Sequence, residues 1–424
     1  MTTSSSDNVR VTFLDAPGAD GVLAAWASLF ESDPAAYALQ DPTFVRAELE
    51  RLPTSRHRAA IVSFHDGERT LGLGVLAPKI LSTARVSGVG PAIPLHGYRL
   101  VGNRFLVSRE GDDIARALVR KTANFVNESG AQFLLIEDID RRSALHAEMV
   151  ALSSEGFETF TPDPFQPHLR ISLPATADAY WAKFSGKTKS TFRRKLKKFG
   201  ESKLVRISTP EEVAEFLERA HAISKETWQS RHLGLRIKND DNERALFRIL
   251  AERKLLRSYL WFVEGKPAAF LVGNQYKGTF NYEEVGYAGA FARNSPGQML
   301  LLQVLDDLFA HDKPDVFDFG FGDAEYKRLF SNDASESGVV WLIPPRLSMR
   351  ATMLVLRSIL RVKRIARDAV KRAGLESRFR QWVRYGGKKD APAEGPADSP
   401  GATEKDGGSG QSKRESAVES TNDE

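Results

Sequence analysis

The sequence predicts a mixed α/β protein built from two similar α/β units in tandem. Segments typical of buried strands alternate with amphipathic helices, and the elements follow the same order in both halves of the chain. With 42% hydrophobic and 9% aromatic residues, the 424 residues can form packed cores in two domains. A basic C-terminal helix and a disordered tail are expected after these units.

The first half contains three predicted strands, a helix, a strand of continuous apolar character, a helix and a last strand. The helix has apolar residues at helical spacing, and the apolar strand reads FLLIEDI. These elements are predicted at 59–64, 71–80, 98–107, 112–129, 133–139, 142–153 and 157–160.

The second half repeats this order. Its three strands are separated by turns at EGK and YKG, and a helix, a strand ending in glycines, a helical turn and a strand follow. The corresponding ranges are 255–263, 267–274, 279–287, 297–310 and 338–342, and the strand and helical turn lie within FDFGFGDAEYKRLF at 317–330.

The turn ARNSPGQ opens the helix at 297–310 in the second half. Ser295 is expected to cap this helix, Pro296 suits its first turn, and Gly297 leaves the backbone open to close approach. Free N–H groups at a helix N-terminus can bind a pyrophosphate. An ordinary capped helix remains the alternative. In the first half Asp112 and Asp113 would repel a phosphate, so we expect cofactor binding in the second half and a degenerate first half.

Positive charge is concentrated in two segments, although the net charge is only +5. Segment 183–206 holds ten Lys or Arg and one acid, and segment 346–384 holds twelve and two. Such segments favour anionic partners, although a charged run is also common on a solvated face. In the first segment, Phe192, Leu196 and Phe199 should bury one face of a helix, and Lys189 and Arg193 lie on the rest.

The predicted location is the cytoplasm, with a possible peripheral position at the inner face of a membrane. The chain has no cysteine, its N-terminus has no signal-peptide pattern, and no apolar run approaches the ~20 residues of a membrane span. The helix predicted at 346–385 has Val355, Ile359 and Val362 on one face and arginines on another. This helix is expected to contact an anionic membrane surface or a membrane-bound synthase, or to pack on the domains.

These features divide the chain into four predicted parts. The parts are an N-terminal α/β domain at 1–167, a C-terminal α/β domain at 168–345, the basic helix at 346–385 and a disordered tail at 386–424.

The stretch GYAGAFARNSPGQMLLLQVLDDL, followed by FDFGFGDAEYKRLF, resembles a signature of known acetyltransferase domains. These domains occur in cellulose and exopolysaccharide biosynthesis proteins (the CelD/BcsL group), within the GNAT superfamily and related to Fem-type peptidyltransferases. YWAKFSGKTKSTFRRKLKKFGE and KETWQSRHLG are similar to further elements of that group. The resemblance covers about 169–341 and implies tandem GNAT-like domains.

The resemblance implies acetyl-CoA or a longer acyl-CoA as co-substrate, no metal, and an amine or hydroxyl acceptor. It also implies positions for site residues in this sequence. The pyrophosphate turn would be Ser295, Pro296, Gly297 and Gln298; the rim of the acceptor cleft would be Asp318, Asp323, Tyr326 and Lys327; Trp228 and Arg231 would line the acceptor site.

The sequence departs from the family at Ala288, where relatives commonly have aspartate, so a glutamate on the strand TFNYEEVGY would have to act as the base. Strict alternation places Glu283 with Asn281 and Val285, and Glu284 with Phe280 and Tyr282. We favour Glu284, because its apolar neighbours would raise the pKa of its carboxyl group.

The residues themselves favour direct transfer without a covalent enzyme intermediate. The eight histidines are scattered, and no serine–histidine–acid arrangement is evident. Direct transfer needs a base, an oriented acceptor and donors for the oxyanion. The predicted catalytic residues are Glu284, Lys327, Asp318 and Tyr326, and the predicted acceptor-binding residues are Trp228, Arg231, Asp323, Lys189 and Arg193.

The predicted activity is an acyl-CoA-dependent N- or O-acyltransferase for a cell-envelope or polysaccharide precursor. Its acceptor would be a small molecule or a lipid-linked glycan. One alternative is a Fem-type aminoacyl-tRNA-dependent transferase, whose basic segment would bind the RNA backbone. Another alternative is a catalytically degenerate scaffold for a membrane-bound synthase, which Ala288 favours.

Overall fold

The computed structural model of the protein describes residues 8–89, 92–108, 112–226 and 237–372. Trp228, Arg231, the last part of the helix predicted at 346–385 and the tail at 386–424 lie outside the described residues.

Within these residues, fourteen strands form one mixed sheet. The strands are β1 (Val9–Phe13), β2 (Ala60–Asp66), β3 (Arg69–Ser82), β4 (Pro94–Leu100), β5 (Leu106–Val107), β6 (Leu134–Asp140), β7 (Glu158–Phe160), β8 (Gln166–Ser172), β9 (Ser202–Ile207), β10 (Ser258–Val263), β11 (Lys266–Tyr276), β12 (Thr279–Tyr287), β13 (Val316–Phe321) and β14 (Asp333–Ile343).

The described chain also contains twelve α-helices and three short 3-10 helices, the latter at Ala38–Gln40, Leu152–Glu155 and Gly289–Asn294. The α-helices are α1 (Asp20–Ser32), α2 (Pro42–Glu50), α3 (Thr83–Ser87), α4 (Asp112–Glu128), α5 (Ala144–Ala151), α6 (Ala177–Trp181), α7 (Gly186–Lys197), α8 (Val213–Glu226), α9 (Asp241–Glu252), α10 (Pro296–Ala310), α11 (Glu325–Phe330) and α12 (Leu347–Arg372).

The predicted repetition of elements is confirmed. The series β2, β3, β4, α4 and β6 of the first half has the same order as β10, β11, β12, α10 and β13 of the second. In each half the third strand pairs in parallel with the strand after the helix, and the pairing is short in both cases. One predicted strand was wrong in extent: residues 98–107 form the end of β4 and the separate strand β5, because the chain bends at Gly102 (φ 77°).

Strands β8 and β14 lie side by side where the two halves meet in the sheet. Along the sheet the order is β1-β2-β3-β4-β6-β14-β8-β13-β12-β11-β10-β9, with β5 on β3 and β7 on β14. Strand β14, the last strand along the chain, pairs with β6 of the first half, whereas β8 pairs with β13 of the second. Strands β8 and β14 also pair with each other, so the sheet is continuous between the halves. The predicted boundary at 167/168 stays a prediction.

Helices cover both faces of the sheet. In the first half, Leu134 and Ile136 of β6 pack toward α4 and α5, whereas Leu135 packs toward α12. In the second half, one face packs on α6, α7 and α10. The other face packs on α8 and α9, and the same cluster of buried residues includes α1 and α2 of the first half. This shared cluster, which we call the central cluster, joins the two halves on one face of the sheet.

Candidate active site

Strands β12 and β13 separate soon after they meet, which opens a wedge in the sheet. Their parallel pairing covers three residue pairs and ends with Asn281 opposite Asp318. Beyond this pair β12 continues to Tyr287, while β13 bends through Gly320 (φ 66°) and stays beside β8. The positive φ angle at this position suits glycine, because a Cβ atom would be strained there. The wedge is therefore bordered by the ends of two strands that carry polar side chains.

A β-bulge at Glu283 places both glutamates of β12 on the same face of the sheet. Val272 of β11 lies opposite Glu284, but the next residue, Gly273, lies opposite Tyr282, so Glu283 is the extra residue. Val272 packs against the central cluster, and its cross-strand partner Glu284 shares that face. The prediction that Glu284 shares a face with Phe280 and Tyr282 was wrong, because it assumed strict alternation.

The carboxyl group of Glu283 is held by one side chain from each half of the chain. The hydroxyl group of Tyr37, just before the 3-10 helix Ala38–Gln40, donates to Glu283 Oε1. Asn274 Nδ2 donates to the same oxygen at 3.0 Å, and Asn281 Nδ2 donates to Asn274 Oδ1 at 2.9 Å. Protein surrounds the carboxyl group on most sides, yet the residue as a whole is exposed, which is the environment at the bottom of an open cleft.

Burial raises the pKa of Glu283 above its usual range, and it also raises that of Tyr37. The hydrogen bonds from Tyr37 and Asn274 lower the pKa of the carboxyl group, and the negative charges of Asp318 and Asp138 raise it. A carboxyl group with a raised pKa, open to solvent on one side, has the properties required of a general base.

His168 of β8 lies between two aspartates on the same face of the sheet. Its Nε2 donates to Asp318 Oδ1 at 2.6 Å, and its Nδ1 donates to Asp138 Oδ1 at 2.9 Å. Burial alone would lower the pKa of this imidazole, but the two aspartates raise it to about 9. The imidazolium therefore joins β6, β8 and β13 by two charge-assisted hydrogen bonds.

Asp138 reaches His168 from an unusual backbone position. Its φ angle is 55°, in the left-handed region, at an irregularity in the pairing of β6 with β14. Ser337 of β14 also donates to Asp138. Strained non-glycine residues of this kind persist where the surrounding contacts hold them, often at functional sites.

Asp318 is a fixed, ionised carboxylate. Burial raises the pKa of this group, but hydrogen bonds from His168 and the backbone N–H of Gly320, with Arg170 nearby, lower it below its usual value. The Arg170 Nε atom lies 3.4 Å from Asp318 Oδ2. These contacts suit a positioning role better than proton abstraction, and the predicted catalytic role of Asp318 stays a prediction.

Lys327 of α11 supports the separated end of β13. Its ammonium group donates to the carbonyl oxygens of Phe319 at 2.8 Å and Phe321 at 3.4 Å. Burial lowers the pKa of Lys327, against the opposing effect of Asp318 and Asp138. The side chain is therefore half-buried at the wedge, and not a surface charge.

Tyr326, beside Lys327, lies on the other face of the sheet. Its hydroxyl group is 3.4 Å from that of Tyr282, and its ring meets Phe319 edge to face. Burial raises the pKa of Tyr326. Asp323 is exposed and pairs with Arg328, away from these contacts.

The predicted pyrophosphate turn lies at the N-terminus of α10, where β12 leads. Pro296 occupies the first turn of the helix, as expected. Ser295 does not cap it: its φ angle is 57°, and its hydroxyl group accepts a hydrogen bond from Lys195 Nζ at 3.1 Å instead. A Cβ atom added at Gly297 would meet only Tyr287 within 4 Å, at 3.9 Å, so this backbone is open. Gln298 is half-buried in the same turn.

Helix α7 brings positive charge to this turn. Phe192 and Phe199 are buried as predicted, and Leu196 packs beside them. Arg193 is exposed and Lys189 is half-buried. The binding roles predicted for these two residues stay predictions, and so do those of Trp228 and Arg231, which lie outside the described residues.

Tyr37, Asn274, Asp138 and His168 were not predicted from the sequence. His168 was counted among the scattered histidines, although the structure sets it between two aspartates. Acidic Asp138 within the apolar strand FLLIEDI was a usable signal, because a buried charge needs a partner. Tyr37 has no such signal in the sequence.

Comparison with known proteins bears on the fold and on the class of domain. Residues 186–328 match the family model of the acetyltransferase (GNAT) domain. No curated protein matches the chain. Among solved structures, the crystal structure of FemX is similar with a TM-score of 0.56 at 12% identity, over 82% of this chain and 100% of that one.

Two further structures are similar at a lower level. The C-terminal domain of a putative lysylphosphatidylglycerol synthetase from Agrobacterium fabrum has 11% identity and a TM-score of 0.49, over 81% of this chain and 98% of that one. A tandem GNAT protein from the clavulanic acid biosynthesis pathway has 15% identity and a TM-score of 0.45, over 80% and 99%.

The chain thus shares its fold with FemX, and residues 186–328 match the acetyltransferase (GNAT) domain, as the sequence predicted. At 12% identity the likeness to FemX is one of fold. Membership of the CelD/BcsL group stays a prediction.

In the described part of the chain, no helix is long and apolar enough to cross a membrane. Over the same residues, no group of three or more His, Asp or Glu side chains is arranged to hold a metal ion. The predictions of a cytoplasmic location and of a reaction without metal stay predictions.

Proposed function

We propose that the protein is an acyl-CoA-dependent acyltransferase that uses Glu283 as its general base. The observation that supports this most directly is the wedge between β12 and β13, with a carboxyl group of raised pKa at its border. This choice replaces Glu284, which the sequence favoured. Glu284 shares the face of the sheet, but the described contacts with Tyr37 and Asn274 belong to Glu283.

The residues around the wedge fit an acyl-CoA. The open N-terminus of α10 and Lys195 would hold the pyrophosphate, because both present positive charge at the end of β12. The acyl group would then extend along the separated part of β12 toward Glu283. The N-terminal half has aspartates at the corresponding helix start, which supports binding in the second half alone.

The reaction would proceed by direct transfer. Glu283 accepts a proton from the acceptor amine or hydroxyl as its nitrogen or oxygen forms a bond to the thioester carbonyl carbon. The carbon–sulfur bond then breaks, and the CoA thiolate leaves and takes up a proton from solvent while Glu283 releases the proton it accepted. The catalytic role predicted for Tyr326, which lies on the other face of the sheet, stays a prediction. Tyr37 and Asn274 keep the carboxyl group of Glu283 oriented.

The acceptor we propose is a sugar-containing precursor of the cell envelope or of a polysaccharide. Tyr37, Asn281 and Glu283 are partly exposed polar groups on one face of the wedge, which suits a polyhydroxylated or amino-sugar acceptor. The resemblance of the sequence to polysaccharide biosynthesis proteins supports the same class.

The test measures acyl-CoA binding and turnover separately. Wild type should be stabilised against heat by acetyl-CoA or a longer acyl-CoA, and Gly297→Glu should abolish this effect because it adds a negative charge at the pyrophosphate turn. Gly21→Glu, in the open first turn of α1, is the matched control and should bind normally. If no acyl-CoA stabilises wild type, the proposal is wrong.

Glu283→Gln should bind acyl-CoA but lose turnover by about 100-fold or more, the usual effect of removing a general base. Glu284→Gln is its control on the same strand and should keep most activity. Normal turnover by Glu283→Gln would exclude this residue as the base. Because the pKa of Glu283 is raised, turnover should increase with pH as the carboxyl group ionises.

A second candidate is an aminoacyl-tRNA-dependent transferase, supported by the exposed basic residues of α7. Lys187, Arg193, Arg194 and Lys197 are all exposed on this helix. Binding of tRNA through their charges should weaken steeply as salt increases. Absence of tRNA binding at low salt would eliminate this candidate.

A further inference from the structure

Helix α12 has two apolar faces, and only one of them packs on the protein. Met349, Met353 and Leu356 are each 1% exposed and lie against β6 and β14. On the opposite side a second set of apolar residues lies in solvent. Members of this exposed apolar stripe, with their exposed fractions, are Leu347 (82%), Leu354 (69%), Val355 (56%), Val362 (66%) and Ile365 (61%).

The sequence predicted an apolar face with Val355 and Val362 and left two partners open for it, a membrane surface and the domains. Val355 and Val362 were predicted on the apolar face that would pack on the domains if the helix did so. The structure packs the methionine face instead, because Met349 and Met353 fill the space over Trp341 and Leu135. The stripe is therefore additional apolar surface that takes no part in the packing of the described residues.

The stripe forms one continuous face of the helix. Its residues are separated by seven, one, seven and three positions, which at 3.6 residues per turn keeps them within about a third of the circumference. The helix has 26 residues, about 39 Å at 1.5 Å per residue. Apolar surface of this extent on a soluble domain marks an interaction site.

Positive charge borders the stripe. The helix contains eight Lys or Arg residues and one acid, Asp368. Arg350, Arg361 and Arg364 are exposed and fall along one edge of the stripe at helical spacing. An anionic surface with an apolar interior complements such a face, and an anionic lipid bilayer has both properties.

Contacts at three points hold α12 on the domain. Arg346 donates to the carbonyl oxygen of Asn127, Arg357 pairs with Glu158, and Lys363 Nζ donates to the Ser87 carbonyl oxygen at 3.0 Å. Arg357 and Lys363 are exposed but bonded to the protein, whereas Arg350, Arg361 and Arg364 are exposed on the solvent side. The stripe is therefore presented outward by an anchored helix, and its exposure is a property of the folded domain.

We propose that α12 docks the protein on an anionic membrane surface, with Leu354, Val355 and Val362 entering the interface and Arg361 and Arg364 contacting lipid phosphates. Docking of this kind lies along the membrane plane and needs no spanning helix. The proposal does not depend on the acyltransferase reaction, because it concerns a different face of the molecule.

The experiment is sedimentation of the full chain with phosphatidylcholine vesicles, with and without phosphatidylglycerol. Wild type should sediment with the anionic vesicles and much less with neutral ones. The double variant Leu354→Ser, Val362→Ser should lower the partition coefficient by roughly tenfold or more, because it removes interfacial apolar groups without changing charge. Arg361→Gln with Arg364→Gln should lower it about 25-fold, at about fivefold for each charge.

Two matched controls separate docking from general surface effects. Val150→Ser changes an exposed valine on α5, and Arg248→Gln changes an exposed arginine on α9. Both should partition as wild type. All four substituted α12 residues are exposed, so thermal midpoints should stay close to wild type and exclude misfolding as the cause.

Three results would overturn the proposal. One is equal sedimentation with neutral and anionic vesicles, and a second is unchanged partition of both double variants. In the third, wild type forms a stable dimer, the double variant Leu354→Ser, Val362→Ser is a monomer, and neither protein binds vesicles. The stripe would then be an interface between two copies of the chain.

Discussion

Replacing His168 with glutamine should remove a large pH-dependent contribution to stability. In the folded protein His168 has a pKa of about 9, because Asp138 and Asp318 both accept its protons. In the unfolded chain its pKa is the ordinary 6.5. The difference between about 9 and 6.5, at about 1.36 kcal/mol for each pH unit, is about 3 kcal/mol.

The direction follows from the raised pKa. Below pH 6.5 both states hold the proton, and the stabilisation is fully present. Between 6.5 and about 9 the unfolded state loses the proton first, so the free energy of unfolding decreases as pH rises. Above pH 9 the contribution is gone.

The assay is urea denaturation of wild type and variants at several pH values from 6 to 9.5. His168→Gln should be less stable than wild type at pH 6, and it should lack about 3 kcal/mol of the decrease seen for wild type up to pH 9.5. The control is His65→Gln, because burial lowers the pKa of His65 and its contribution changes only below pH 6.5. An unchanged pH profile for His168→Gln refutes the reasoning.

A direct titration covers the case in which His168→Gln does not fold. The imidazole nitrogen signals of wild type, followed by NMR, should show one histidine that stays protonated to about pH 9. If all histidine signals titrate below pH 7, the charged hydrogen bonds between the strands do not exist as described.

Three further predictions concern stability and are measured by denaturation. Lys327→Met should destabilise the protein by roughly 1–3 kcal/mol, because it leaves the Phe319 carbonyl oxygen without its donor. Gly97→Ala should cost roughly 1–3 kcal/mol or more, since the new Cβ atom would lie 2.3 Å from the Phe133 carbonyl oxygen. Arg257→Met should cost roughly 1–3 kcal/mol, because the His311 carbonyl oxygen loses this donor, while Asp307 keeps Arg206 and Tyr259.

Matched substitutions at open positions test these predictions. Gly21→Ala, in a helix with no atom within 4 Å of the new Cβ, should stabilise the protein by about 0.5–1 kcal/mol. Arg248→Met, at an exposed position, should change stability by less than about 0.5 kcal/mol. If Gly97→Ala or Arg257→Met behaves as its control does, the close packing described around that position is wrong.

Local patterns in the sequence were sufficient to predict most elements. The strand Thr279–Tyr287 has the predicted bounds, and the helix α10 differs by one residue. Both depend on hydrophobic periodicity and on turn residues within a short segment. The repeated order of elements then implied two similar units, and the fold has them.

Features that depend on the partner strand could not be predicted from local patterns in the sequence. The bulge at Glu283 arises from the register between β11 and β12, and a one-residue shift moves a side chain to the other face. The pairing of β14 with β6 and β8 is a choice among pairings that local periodicity does not distinguish. For α12, two apolar faces compete, and only the shape of the sheet decides which one is buried.

Contacts between residues far apart in the chain were the hardest features to predict from the sequence. Tyr37 and Glu283 are separated by 246 positions, and Asp318 and His168 by 150. Nothing in either short segment indicates the other. The site therefore combines a strand that could be predicted with partners that only the folded sheet brings to it.

The wedge between β12 and β13 is stabilised by specific side chains and is not only a gap in strand pairing. Two strands that part leave backbone groups without the partners that a continuous sheet would supply, and such groups are costly when buried. Here side chains replace those partners: Lys327 binds the carbonyl oxygens of Phe319 and Phe321, and Asp318 binds the N–H of Gly320. His168 in turn fixes Asp318 to the neighbouring strand β8. These polar groups therefore hold β13 away from β12, and the separation stays open for a ligand without requiring one to support it.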